Sequence, residues 1–329
     1  MSRTFWEVED KAIVVVQSSR TTGLPKPVYL TNGYFGTLDW ISRLPIPPAR
    51  VAAFPSAAGK GGLFLTMSPY FHMMGIMAIV ESIFHGYPVI QCPDMPITPG
   101  LLERVLDTTG ATKPTAIIAA SILEELSSSQ KGVEVLKRFH TVFIGGAPLP
   151  LEVGDRLSQQ INLQNIMGST EIGLLVSLIQ EKAEDWEYFE WAPAYGIEIR
   201  PAEGGGCELT IPRGENRDFH GIFHKFPDKR VYRAKDIYEQ HPGRPHLWRF
   251  VGRLDDVIVL RNGEKFNPSA MENMIQSHPL VYRAVILGEG RFEAAALVKP
   301  HWEKYSERPT EFVDQLWSDI EKANEAGPA

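Results

Sequence analysis

Short apolar, β-branched runs alternate with longer amphipathic stretches through the first half of this chain. The run Ala12–Gln17 is almost wholly apolar and predicts a buried strand. Pro27–Leu30 predicts a second. Thr31 stands before an amphipathic stretch and predicts an N-cap for a helix running to about Arg43. Pro45–Ala49 is Pro-rich and predicts a loop. The pattern then predicts a strand at Leu63–Thr66, a helix at Phe71–His85 and a strand at Pro88–Gln91. Thr98-Pro99 opens a helix with proline at its first position. Strands follow at Pro114–Ala119 and Thr141–Gly145, with a capping box predicted at Ser121-x-x-Glu124 between them. This alternation predicts an α/β fold with a doubly wound, mainly parallel sheet.

From Tyr195 the texture changes to short strands separated by turns. Ile197–Arg200, Cys207–Ile211, Val231–Tyr238 and Leu247–Val251 predict a small β-rich subdomain, antiparallel or barrel-like. A boundary is predicted at Gly252-Arg253, dividing the chain into 1–251 and 252–329. The second part reads as a small α+β domain. Its strand Val257–Leu260, helix Pro268–Ser277 and strands Val281–Leu287 and Ala294–Val298 precede a tail, Lys322–Ala329, predicted to fray.

Composition narrows the function classes. A chain of 329 residues with net charge −7 is a poor partner for nucleic acid or anionic membrane surfaces. The apolar window Leu63–Phe84 is interrupted by Pro69, His72 and Glu81, too broken for a membrane span. Two cysteines, Cys92 and Cys207, sit in dissimilar contexts and offer neither a disulfide framework nor zinc spacing. The N-terminus lacks an apolar signal core. A soluble, cytoplasmic protein is expected.

Candidate chemistry starts at Ser18-Ser-Arg-Thr-Thr-Gly-Leu-Pro-Lys26, a hydroxyl-rich turn at a strand end. Such turns aim backbone N–H groups and hydroxyls at phosphate oxygens, and Lys26 adds positive charge. The Walker A spacing is absent. On these residues alone, an ordinary Ser/Thr/Gly/Pro turn remains open. Four further segments follow in order: Phe71-His-Met-Met-Gly75, Gly145-Gly-Ala-Pro-Leu149, Met167-Gly-Ser-Thr-Glu-Ile-Gly173, and Gly252-Arg-Leu-Asp-Asp-Val257 continuing into Asn262–Pro268.

Together the five segments resemble the adenylate-forming superfamily of acyl-CoA synthetases, luciferases and nonribosomal-peptide-synthetase adenylation domains. The phrasing is closest to synthetase-like and carboxylic-acid-reductase-type adenylation domains, and the resemblance covers nearly the whole chain. Family domains are longer, with a large segment before the phosphate turn and a lysine-bearing loop in the small domain. The resemblance therefore implies that residues 1–251 are a large adenylation domain lacking its N-terminal part. Residues 252–329 would be a small domain truncated before the catalytic-lysine loop.

The resemblance also implies roles. Thr21, Thr22, Gly23 and Lys26 contact phosphate. Lys26, Thr170 and Glu171 are catalytic, with the Thr170 hydroxyl near the α-phosphate and Glu171 on Mg²⁺. Gly145, Ala147, Pro148, Met167, Gly168 and Ser169 surround the nucleotide, Asp236 holds the ribose, and Arg253 reaches the nucleotide. His72, Gly145, Gly146 and Ile172 line the acid pocket, His72 also bordering the nucleotide. Asp255 is the hinge about which the small domain turns. Four positions depart from the family pattern. Met167 replaces a Tyr, Ala234 and Lys235 replace Thr and Gly before Asp236, and Arg20 replaces a Gly.

The implied reaction joins a carboxylate to ATP as an acyl-adenylate. The acyl group then passes to a thiol, either the phosphopantetheine of a carrier domain supplied elsewhere or CoA. Amino-acid-activating relatives place an Asp in the segment matching Phe71–Gly75, and none stands here. That points to an aryl or aliphatic acid without an α-amino group. Two alternatives stay open: a catalytically impaired remnant that binds nucleotide or serves as an interaction module, and a stand-alone acyl-CoA ligase.

Overall fold

The structure is a computed structural model and describes residues 4–18, 26–53, 62–202, 206–214, 219–262, 264–303 and 309–325. Five parallel strands form its centre, in the spatial order Val89–Gln91, Phe64–Thr66, Thr115–Ala119, Thr141–Gly145, Leu163–Asn165. The helices Met73–His85, Pro99–Thr109, Ala120–Ser127, Gln130–Leu136 and Leu151–Ser158 lie in the crossovers. Successive strand residues enter different cores. Phe64, Ile117 and Phe143 join one apolar cluster, while Leu65, Ala116, Ile118, Val142 and Ile144 join another. Covering both faces is what near-continuous apolar strands require. The predicted doubly wound sheet is present.

Capping follows the sequence in two places. The Thr31 hydroxyl accepts the Tyr34 N–H at 3.1 Å, starting the helix Asn32–Ile41, two residues shorter at its end than predicted. Thr98 Oγ1 accepts the Leu101 N–H at 3.2 Å, with Pro99 beginning the helix. Elsewhere the structure corrects the sequence. The helix predicted to start at Ser121 begins at Ala120 with Ala119 before it, so no side chain caps it. The helix predicted from Phe71 begins at Met73, and His72 is its cap. Gly75 lets that helix approach the preceding turn, since a Cβ there would lie 2.2 Å from the Pro69 carbonyl oxygen.

The strand Ala12–Ser18 is not buried as predicted. It pairs antiparallel with Lys26–Thr31 in a two-stranded ribbon outside the parallel sheet. Val16 and Val28 face the core, while Ile13 and Val15 are 54% and 56% exposed. A ribbon buries one face, so the apolar run misleads here. Glu81, read as a polar break, is fully buried and accepts the Tyr87 hydroxyl at 2.9 Å, and burial pushes its carboxyl well above the usual range.

The β-rich part is a six-stranded antiparallel sheet. Its order is Ser177–Leu178, Tyr188–Trp191, Arg244–Arg253, Val231–His241, Cys207–Pro212, Glu198–Pro201. The strand ending at Arg253 runs across the boundary predicted at residue 252. A third core follows, built from Ile258, Leu260, Met271, Ile275, Ile286, Leu316 and neighbours. The helix Pro309–Glu325 packs into it, a helix the sequence pattern left unassigned. Among the described residues no helix is long and apolar enough to cross a membrane. Both cysteines are free, Cys92 buried and Cys207 partly so.

Candidate functional site

The site begins where the parallel sheet ends. In doubly wound sheets ligands bind beyond the carboxyl ends of the strands. Here Thr141–Gly145 and Leu163–Asn165 pair in parallel, Ile144 opposite Asn165, so the segments leaving them emerge side by side. From the first comes the exposed loop Gly146-Ala147-Pro148, with Gly146 at φ 87°. From the second comes a hairpin in which Met167–Ser169 pairs with Gly173–Leu175. A Cβ at Gly145 would meet Ile166 at 3.1 Å, a measure of how closely the two segments run.

The hairpin turn carries Thr170 and Glu171. Ser169 Oγ organises it, accepting the Ile172 N–H at 3.3 Å and donating to Glu171 Oε2 at 3.3 Å. The Tyr34 hydroxyl donates to the Thr170 carbonyl at 3.0 Å and anchors the turn to the core. Burial holds the Tyr34 phenol above its ordinary range, reinforced by Tyr195 and Glu171. Ile172, expected in the acid pocket, is buried in the same core cluster as Tyr34 and Phe223.

The second half of the site lies on the antiparallel sheet. Asp236 pairs in register with Arg253, and Arg253 Nη1 donates to Asp236 Oδ1 at 3.3 Å. Arg253 Nη2 also reaches Asp255 Oδ1 at 3.4 Å, and Lys235 Nζ donates to Asp255 Oδ2 at 3.0 Å. Asp236 is 6% exposed. Burial pushes its carboxyl up to about 6, Arg253 opposes the rise, and the charges of Asp255, Asp256 and Glu208 add to it. Asp255 behaves differently. Burial again disfavours its ionised form, but the Lys235 bond and the Arg253 charge outweigh it and hold the carboxyl below the usual range.

Tyr232 stands under the charge of both halves. Burial raises its phenol, and the charges of Glu171, Asp236 and Asp255 raise it further against Arg253. The phenol thus lies within electrostatic reach of both the hairpin turn and the 236–253 pair. Tyr232 opens the Tyr232–Asp236 phrase, for which the sequence implied a role at Asp236 only. Tyr34, on a helix, and Glu208, on a strand, bond partners far away in sequence, and no local motif signals them.

Lys235 stands where the family pattern has glycine, and its φ is 62°. The left-handed backbone that glycine would supply is therefore kept, at the ~1–2 kcal/mol such a conformation costs an L-residue. The expected alteration of this turn is one of side chain, not of backbone hand.

The remaining candidates divide. His72 Nδ1 accepts the Met74 N–H at 3.2 Å, which leaves the proton of the neutral ring on Nε2. His72 and Phe71 are both exposed. Arg20, Thr21, Thr22 and Gly23 lie outside the described residues. Lys26 opens its strand opposite Ser18. Among the described residues no three carboxylate, His or Cys side chains converge as a metal cage. An open cleft of about 580 Å³ shares no lining residue with this site. Its Arg244 is already engaged by Glu184 at 3.1 Å and by Asp185.

The strand-end loops, the Thr-Glu turn and the Asp–Arg pair carry the residues that the sequence resemblance singles out. The AMP-binding enzyme family model matches residues 3–203, and the model of the AMP-binding enzyme C-terminal domain matches 255–329. The chain belongs to the AMP-binding, adenylate-forming family. It is 30% identical to a carboxylic acid reductase of Neurospora crassa over 98% of its own length and 31% of the relative. It is 29% identical to an adenylate-forming reductase of Heterobasidion annosum, over 97% of its length and 29% of the relative. The chain thus spans under a third of these relatives. Among solved structures, it is similar to o-succinylbenzoate coenzyme A synthetase of Bacillus subtilis in complex with AMP. The TM-score is 0.64 at 17% identity, covering 93% of this chain and 62% of that one. It is also similar to ATP-bound MatB of Rhodopseudomonas palustris, with a TM-score of 0.66 at 16% identity, 98% of this chain and 62% of that one. At these identities the likeness shows the fold.

Proposed function

We propose that this chain takes part in ATP-dependent activation of a carboxylic acid to an acyl-adenylate, for transfer to a thiol of a carrier-bound phosphopantetheine or of CoA. The observation that carries the reading is the buried Asp236 carboxylate paired with Arg253 at 3.3 Å, whose charges act on the Tyr232 phenol together with that of Glu171. Adenylation of this kind needs positioning and charge more than covalent catalysis. Asp236 would accept the ribose hydroxyls, and Arg253, now shared between Asp236 and Asp255, would turn toward the nucleotide. Thr170 would bond the α-phosphate, with Gly145, Ala147, Pro148, Met167, Gly168 and Ser169 around the base and sugar. Thr21, Thr22, Gly23 and Lys26 would hold the outer phosphates.

A single carboxylate, Glu171, fits Mg²⁺ only as a partner to nucleotide phosphates. That is the usual manner of Mg²⁺, which takes one or two carboxylates plus phosphate oxygens. The ion supplies charge neutralisation at the phosphates when bound. In this reading residues 1–251 are the large domain, 252–329 the small one, and Asp255 the hinge. A cytoplasmic location belongs to the same reading, supported by two unpaired cysteines.

The acid would lack an α-ammonium group, because a cation in the pocket would need a paired carboxylate. Phe71–Gly75 carries none. ATP–pyrophosphate exchange against a panel of aryl, aliphatic and amino acids tests the reading. Exchange with aryl or aliphatic acids is expected. Exchange with amino acids alone would overturn the substrate class, and no ATP binding at all would overturn the site.

A further inference from the structure

The ladder between Cys207–Pro212 and Val231–His241 breaks next to the candidate ribose carboxylate. Glu208 lies opposite Ile237 and Thr210 opposite Arg233, so the longer strand bulges through Ala234, Lys235 and Asp236. At that bulge a side chain takes over from the backbone. Glu208, 1% exposed, accepts the Lys235 backbone N–H on Oε1 at 3.1 Å. Its other oxygen, Oε2, accepts Arg233 Nε at 2.7 Å and also Nη2. Both carboxylate oxygens are thus committed, one to the middle of the bulge and one to the residue before it. Lys235 is the left-handed residue of the turn, and Asp236 is the next residue along.

We infer that Glu208 is a positioning residue that holds Lys235 in its left-handed conformation and thereby aims the Asp236 carboxylate. The inference rests on the reading of Asp236 as the ribose-binding group. A bulge of this kind re-aims a side chain at a site, but the extra residues lose ladder bonds and need other partners. Lysine does not favour the left-handed region, so the turn needs an external hold that glycine would not. Glutamine cannot replace Glu208. With one amide oxygen, it can accept from Lys235 or from Arg233, and its NH₂ then faces the other donor.

The test is a double-mutant cycle on full-length protein, read as the ratio of calorimetric affinities for ATP and 2′,3′-dideoxy-ATP. This ratio isolates the ribose hydroxyls, because both nucleotides carry the same base and phosphates. Glu208→Gln is expected to lower the ratio about tenfold, the scale of a lost hydrogen bond to a charged group, with dideoxy-ATP affinity unchanged. In a Lys235→Gly background, where the left-handed backbone is free of strain, the same substitution is expected to cost less than about threefold. Glu208→Asp keeps the charge for Arg233 but withdraws the carboxylate from Lys235. It is expected to repeat the loss and serves if the glutamine variant does not fold.

Equal loss for both nucleotides, or equal loss of the ratio in both backgrounds, makes Glu208 general scaffolding and overturns the inference. Asp236→Asn separates the inference from the reading beneath it. If Asp236→Asn abolishes the ratio while Glu208→Gln keeps it, the inference alone falls. If Asp236→Asn leaves the ratio intact, the ribose reading falls and the inference with it.

Discussion

Two turns carry the candidate residues, and they are built in opposite ways. The Thr170-Glu171 turn closes a short hairpin whose bonds are local or reach straight into the core: Ser169 to Ile172 and Glu171, Tyr34 to Thr170. Gly173 at φ 84° supplies the one left-handed residue from the residue type suited to it. The Lys235-Asp236 turn uses a lysine at φ 62° and places a carboxylate where burial pushes it up to about 6. One turn is comfortable, and the other holds strain and a disfavoured charge. Residues kept in conformations and charge states that cost stability cluster at functional sites. The contrast makes Asp236 the first position to test, with the hairpin as the firmer setting of Glu171.

The largest expected effect bears on the costly turn. The Asp236 carboxyl rises from 3.8 to about 6 on folding. Folding thus favours its protonated form, so its contribution to stability falls as pH rises from about 4 to 6 and stays low above. At ~1.36 kcal/mol per pH unit the cost at neutral pH is about 3 kcal/mol at most. Asp236→Asn is expected to raise stability at pH 7.5 and leave it little changed at pH 4, measured by urea denaturation at both. A variant less stable at pH 7.5 would show that the Arg253 pair outweighs burial and would break the contrast between the turns.

The comfortable turn should respond in the opposite sense. Tyr34→Phe removes the buried donor to the Thr170 carbonyl, and a loss of ~1–2 kcal/mol is expected in the same assay. No loss would mean that the hairpin does not depend on its core anchor. The smallest effect concerns Lys235→Gly. Relief of the left-handed lysine is worth about 1 kcal/mol, partly offset by glycine's greater chain entropy. The Lys235–Asp255 pair is half-exposed and contributes little. A net gain of up to ~0.5 kcal/mol is expected, and a loss above ~1 kcal/mol would show that the ion pair matters more than the strain.

The parallel sheet was legible in the sequence because it obeys its own rule. Strands buried on both faces, such as Thr141–Gly145, read as apolar runs. The same rule misread Ala12–Ser18, where Ile13 and Val15 stand on the exposed face of a two-stranded ribbon. Thr31 and Thr98 announced their helices because capping is local. Ser121 carried the same signal but lies within the helix that starts at Ala120. The site divides similarly. Thr170, Glu171, Asp236 and Arg253 sit in recognisable phrases, so the residues that would touch the nucleotide were named early. Glu208 and Tyr34 act across the fold, 27 and 136 residues from the Lys235 and Thr170 they bond. Glu208 and Tyr34 are placed by packing, which sequence spacing does not record. Tyr232 is near in sequence, but its link to Glu171 is made only in three dimensions.

The central claim is that Asp236, in its costly turn, binds the ribose as a carboxylate. The most direct measurement is the affinity ratio of ATP to 2′,3′-dideoxy-ATP from pH 5 to pH 8, for wild type and Asp236→Asn. Shared phosphates cancel, so the ratio follows the group that meets the hydroxyls. The account predicts a wild-type ratio that rises as pH passes up through about 6, and a low, flat ratio in Asp236→Asn. A wild-type ratio that is flat and equal to that of the variant would contradict it.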